Sequence, residues 1–194
     1  MNRIFPISHL TLPRRLPAGL LAAFLALSPL ALWPADEGPQ TSQPDSELML
    51  ESIVAEDLSR LLEENRGKVV LVHFWATWCG PCLHEIPALL RLKGKLDPSS
   101  FVLLPVSVDK PANSYWLVEA LIKKKYPNWH SYLSAEPEDY LMVEELDPHW
   151  PGVLPANYLI GSDGKLARML LGGHAEAQFE EAVRALLKEP GRAP

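Results

Sequence analysis

The chain has 194 residues, 47% of them hydrophobic and 22% charged, which suits one domain around a real core and excludes a disordered, collagen-like or coiled-coil chain. Lys and Arg number 18 against 24 Asp and Glu, a net charge of −6, so no nucleic-acid partner is expected of it. The two cysteines, Cys79 and Cys82, are too few for a multi-disulfide framework or a four-thiolate zinc site.

In chain order, Arg3, Arg14 and Arg15 are the only charges before residue 36, and residues 16–35 carry none. As a helix that stretch would rise about 30 Å, the thickness of a bilayer's hydrocarbon core. It reads either as a cleaved secretory signal or as an uncleaved anchor. The small-x-small site Ala26-Leu27-Ser28 would leave Pro29 just after the scissile bond, which favours the anchor. Under both readings the positive flank stays inside and the remainder is exported, so a periplasmic or other extracytoplasmic location is expected, tethered to the inner membrane by residues 16–35 under the anchor reading and soluble under the cleaved-signal one. Residues 36–46, DEGPQTSQPDS, are polar and contain Pro and Gly, as linkers do. The domain then occupies 47–194.

Within it, 48–54 reads as a short edge strand. Residues 55–65 have apolar side chains at helical spacing, with Gly67 beyond their end. Residues 68–75, KVVLVHFW, read as a strand buried on both faces. A helix follows over 83–95, with Pro87 inside it as an expected kink. Residues 101–108 form a second buried strand, 114–125 a helix, 129–133 a strand and 136–146 a short helix. Strands at 156–160 and 166–171 bracket Gly161-Ser162-Asp163-Gly164, a hairpin signal, and 175–188 is a final amphipathic helix. This alternation predicts an α/β fold with a mixed central sheet flanked by helices.

The chemistry rests on Cys79-Gly80-Pro81-Cys82. The pair lies where a buried strand ends and a helix begins, and a helix N-terminus offers unpaired N–H groups and partial positive charge. A thiolate at Cys79 would accept those N–H groups, so its pKa should fall below about 8.5. Cys82, three residues along, is near enough to close a disulfide and to displace a partner held on Cys79. Pro81 stiffens the intervening loop, and Gly80 lets a partner's backbone approach. A purely structural bridge over two residues would restrain almost nothing in the unfolded chain. Zinc lacks ligands; transient copper binding by two thiolates stays open as a competing reading.

The run 68–87, KVVLVHFWATWCGPCLHEIP, resembles the thioredoxin superfamily. Within it, the chain looks most like the exported thiol–disulfide oxidoreductases of the TlpA/ResA and cytochrome c maturation group, whose C-x-x-E-x-P continuation matches Glu85-Ile86-Pro87. The resemblance implies a thioredoxin fold with a central insertion within 109–150. It also implies that Pro155 is the group's cis-proline beside the disulfide, with the backbone of Leu154 as an edge for an extended substrate segment. By the same resemblance Trp78 faces substrate, and Trp150 is a candidate to join it. Glu85 is a candidate acid/base, against the plainer reading of a solvated first-turn carboxylate. His73 replaces the group's usual polar strand residue; it reads either as a proton relay for Cys82 or as a core histidine bonded to backbone.

The expected activity is exchange of dithiol and disulfide with protein substrates outside the cytoplasm, with the Cys79–Cys82 disulfide as the redox group and no bound cofactor or metal. Gly-Pro between the cysteines is the thioredoxin dipeptide, which points to a reductant fed by a membrane thiol donor, acting as a monomer. Competing readings are a copper-handling thiol module, a disulfide oxidase or isomerase, and a peroxidase. The last wants Pro-x-x-x-Thr-x-x-Cys, and Ala76 stands where the Thr should be.

Overall fold

Seven successive residues, Val69–Trp75, are buried on both faces, and this strand, β2, organises everything around it. The computed structural model describes residues 49–188; the segments read as signal or anchor and as linker lie outside the described residues. In chain order the elements are β1 (Leu50–Ile53), α1 (Ala55–Glu64), β2, α2 (Gly80–Lys95), β3 (Phe101–Ser107), α3 (Pro111–Lys125), β4 (Ser131–Ser134), α4 (Asp139–Glu144), β5 (Ala156–Ile160), β6 (Leu166–Leu171) and α5 (Glu176–Lys188).

The strands form one six-stranded sheet in the order β1-β4-β3-β2-β5-β6. β1, β4, β3 and β2 run parallel, whereas β5 and β6 are antiparallel to their neighbours. This is the expected mixed sheet, with β1 at its edge. The segment between β3 and β5 contributes α3, β4 and α4, and β4 slots between β1 and β3. α2 packs with α5 against β2 and β3, α1 lies against α4, and α3 lies against β1. Phe74, Trp75, Ile86, Leu89, Leu92, Tyr158 and Phe179 are among the fully buried side chains joining these layers, an apolar burial of about 1.5–3 kcal/mol for each typical large side chain.

α2 begins earlier than its expected span of 83–95. α2 starts at Gly80 because Cys79 itself caps it: Cys79 Sγ accepts the N–H of Cys82 at 3.3 Å, the place a side-chain oxygen takes in an ordinary N-cap. Pro87 lies inside the continuous α2. A proline there frees the carbonyl four residues earlier, and that carbonyl, of Leu83, accepts the Tyr126 hydroxyl at 3.2 Å. Among the described residues no helix is long and apolar enough to cross a membrane.

Candidate active site

β2 delivers the chain to the sheet's end, and α2 begins at once. Cys79 and Cys82 are joined as a disulfide, with Cα atoms 5.3 Å apart. The two sulfurs are not equivalent. Cys82 is fully buried, whereas Cys79 retains 5% exposure and lines a cavity of about 310 Å³ together with Trp78, Gly80, Pro81, Trp150, Gly152 and Leu154. A visiting sulfur meets Cys79 first. The helix N-terminus that already directs the Cys82 N–H at Cys79 Sγ would favour negative charge there once the bridge opens.

The structure brings Trp78, Cys79, Gly80, Pro81 and Leu154 together on one cavity wall. Trp78 is 67% exposed. A Cβ added at Gly80 would meet nothing within 4 Å, so this point of the wall is open to a partner's backbone. Trp150 joins the group from the insertion, its indole Nε1 donating to the Val153 carbonyl at 3.0 Å, which fixes the ring at the cavity's rim. The Leu154–Pro155 bond is cis. Pro155 is buried behind Leu154, and its carbonyl accepts the Gly172 N–H at 2.8 Å. Gly172, at φ 80°, takes the left-handed turn that lays Gly173 against Pro81, where an added Cβ would come 3.6 Å from the proline ring.

Glu85 is not solvated. It is 2% exposed and sits one turn after Cys82 on the same side of α2. Its Oε1 accepts the backbone N–H of His174 at 2.6 Å, and its Oε2 accepts Asn157 Nδ2 at 3.2 Å. Burial pushes its carboxyl up to about 7, while those two N–H donors pull the other way.

His73 is a core histidine, but its partner is a side chain rather than the backbone. Its Nδ1 lies 2.7 Å from Asn157 Oδ1, and burial lowers its pKa to about 4. Glu85 Oε2 is 3.6 Å from the same nitrogen; with the imidazole neutral at ordinary pH this is a close approach, not an ion pair.

Sequence reasoning missed three contributors. Asp109, 6% exposed, braces the loop into the disulfide from the end of β3. Asn157 and the His174 main chain hold Glu85. No motif marks any of them, because each acts from a distant segment; the adjacent Gly172-Gly173 is a local signal of a tight turn. Among the described residues no group of three or more His, Cys, Asp or Glu is placed to hold a metal ion.

Residues 41–169 match the AhpC/TSA family. The chain is 25% identical over 165 residues to sporulation thiol-disulfide oxidoreductase A of Bacillus subtilis, covering 84% of this chain and 94% of that protein. It is 24% identical over 119 residues to thiol-disulfide oxidoreductase ResA of Bacillus cereus, spanning 61% of this chain and 64% of that relative. The crystal structure of StoA from Bacillus subtilis superposes with a TM-score of 0.50 at 25% identity, covering 60% of this chain and 83% of StoA. A thioredoxin-family thiol:disulfide interchange protein from Chlorobium tepidum TLS superposes with a TM-score of 0.54 at 22% identity, covering 64% and 83% of the two chains; that is a likeness of fold.

Proposed function

The chain belongs to the AhpC/TSA family, and on that premise we propose that it is a protein dithiol–disulfide oxidoreductase. The observation that carries this reading is the asymmetry of the bridge, with Cys79 on a cavity at a helix N-terminus and Cys82 sealed behind it. In the reducing direction, the Cys79 thiolate attacks a substrate disulfide R–S–S–R′. A Cys79–S–S–R bond forms and R′–S⁻ leaves. Cys82 then loses its proton to Glu85 and attacks Cys79 Sγ. The Cys79–Cys82 bond forms, R–S⁻ leaves, and the substrate has gained the two electrons the dithiol lost. Glu85 is the acid/base in this scheme because it is buried one turn from Cys82 with a carboxyl poised to exchange a proton near neutrality.

Trp78, Gly80, Pro81 and Leu154 form the surface on which an extended substrate segment lies, with Pro155 setting the direction of the Leu154 backbone. The cavity's two indoles and Leu154 favour an apolar side chain near the substrate cysteine.

The reaction runs as a reduction outside the cytoplasm, with the chain tethered by residues 16–35. The Gly-Pro pair supports the direction, and the uncharged stretch behind Arg14 and Arg15 supports the location. Exported space is oxidising, so a membrane thiol donor would return the bridge to the dithiol. Targets of the fitting class are cysteine pairs awaiting haem or copper.

The test is equilibration of the full chain against glutathione mixtures, followed by turnover on a disulfide-bonded protein. A potential near about −270 mV with reduction of the target is expected; one near about −120 mV would make the protein an oxidant. No exchange through Cys79 would remove the enzymatic reading.

A further inference from the structure

His73, Asn157 and Glu85 come from β2, β5 and α2, and their relative exposures are 0%, 0% and 2%. His73 and Asn157 are directly opposite in the antiparallel β2–β5 ladder, so their side chains share one face of the sheet. Asn157 has no freedom in how it faces them. Its Nδ2 also donates to the Leu170 carbonyl at 3.3 Å, and a carbonyl only accepts. The amide nitrogen must therefore lie on the side of Leu170 and Glu85, which turns Oδ1 to His73 and makes Nδ1 the protonated ring nitrogen. The other ring nitrogen, Nε2, has no hydrogen-bond partner among the described residues, and the Trp129 ring packs edge-on against the imidazole with centroids 5.6 Å apart.

The consequence falls on Glu85. Each of its oxygens receives one N–H, from His174 and from Asn157, so the carboxyl is pinned and an arriving proton must take a remaining lone pair. We propose that Asn157 is a positioning residue for the thiol chemistry: fixed by His73 and Leu170, its amide holds the Glu85 carboxyl one turn from Cys82 and favours the ionised form that accepts the Cys82 proton.

Other groups among the described residues lie beside Glu85 as well. His73 approaches from β2, Cys82 lies on the same helix, and the His174 main chain comes from the loop before α5. The His174 ring is engaged elsewhere, its Nδ1 2.7 Å from the Gly172 carbonyl. Burial keeps His73 neutral well below the pH at which Glu85 exchanges its proton, so the proton that moves here belongs to Glu85, and His73 acts through the orientation it imposes on Asn157.

The inference rests on the oxidoreductase reading. Its test is nuclear magnetic resonance of the reduced full chain across pH 5–9, following the Glu85 carboxyl carbon and the Asn157 side-chain amide, with release of glutathione from a Cys79 mixed disulfide measured alongside. In the wild type the Asn157 amide should shift with the same midpoint as the Glu85 carboxyl. Asn157→Ala should move the carboxyl midpoint to higher pH, by about tenfold in proton concentration. It should also slow Cys82-dependent release at neutral pH by a similar factor, leaving the first attack by Cys79 unchanged. An Asn157 amide blind to the Glu85 titration overturns the inference without needing any variant to fold. So does an unmoved midpoint in folded Asn157→Ala. If the wild type releases no glutathione at all, the oxidoreductase reading fails first; if release is intact and indifferent to Asn157→Ala at every pH, only the inference fails.

Discussion

Thr77 and Asp109 are joined twice: the Thr77 N–H donates to Asp109 Oδ2 at 2.8 Å and its hydroxyl to Oδ1 at 2.6 Å. The same carboxylate accepts the Ser107 hydroxyl at 2.7 Å. The turn that carries Trp78 and Cys79 out of β2 is thus tied to the end of β3. Asp109→Ala should lower stability by about 1–3 kcal/mol, since it strands three donors around a buried carboxylate position. It should also slow attack by Cys79. Urea denaturation and the rate of mixed-disulfide formation check this; a destabilised protein with unchanged Cys79 kinetics would reduce Asp109 to a structural brace.

Unequal access to the two sulfurs predicts unequal traps. Cys82→Ser should accumulate covalent adducts with disulfide-bearing proteins, because Cys79 can attack and nothing displaces the product. Cys79→Ser should accumulate few, because Cys82 is fully buried. Non-reducing electrophoresis reads both; adducts confined to Cys79→Ser would reverse the assigned roles.

Two buried groups should oppose each other in the pH dependence of stability. Glu85, raised from 4.5 to about 7, binds its proton more tightly folded than unfolded. It therefore makes stability fall as pH rises from 4.5 to 7. His73, lowered from 6.5 to about 4, binds its proton more tightly unfolded, so it makes stability rise with pH between about 4 and 6.5. Each contribution is on the order of 3 kcal/mol over its full range, and they largely cancel between about 4.5 and 6.5. Glu85→Gln should unmask the rising slope and His73→Asn the falling one. Urea midpoints measured against pH, as differences from the wild type, isolate the two groups. Parallel curves for the wild type and both variants would contradict the assignment.

The Leu83 carbonyl predicts a modest effect at a distance from the thiols. Tyr126→Phe removes its hydroxyl partner in a helix where Pro87 supplies no N–H. A loss of about 1 kcal/mol is expected, with exchange rates at Cys79 unchanged. No loss of stability would mean that water replaces the hydroxyl without cost.

The elements were legible wherever a local pattern fixed them. β2 showed as a mostly apolar run and the β5–β6 hairpin as two apolar stretches around Gly-Ser-Asp-Gly. The start of α2 slipped because an unusual cap, a sulfur, decided it; Tyr126 from the end of α3 gives a partner to the carbonyl that Pro87 frees inside α2. At the site, the cysteines and Trp78 were readable because their chemistry lies in short spacing. Asp109, Asn157 and His174 were not, since each meets its partner across more than thirty residues of chain.

By itself, then, the order of residues determined a thiol pair at a strand-to-helix junction and the alternation that builds a mixed sheet, because both depend on neighbours within a turn or two. Only the folded chain decided that Glu85 is shut away from water and that His73 is held neutral against an asparagine, and it supplied the cavity through which Cys79, already assigned as the attacking sulfur, is reached. Those outcomes depend on burial and on hydrogen bonds between strands and helices remote in sequence, and no local spacing encodes the dielectric around a carboxyl or the donor that reaches it.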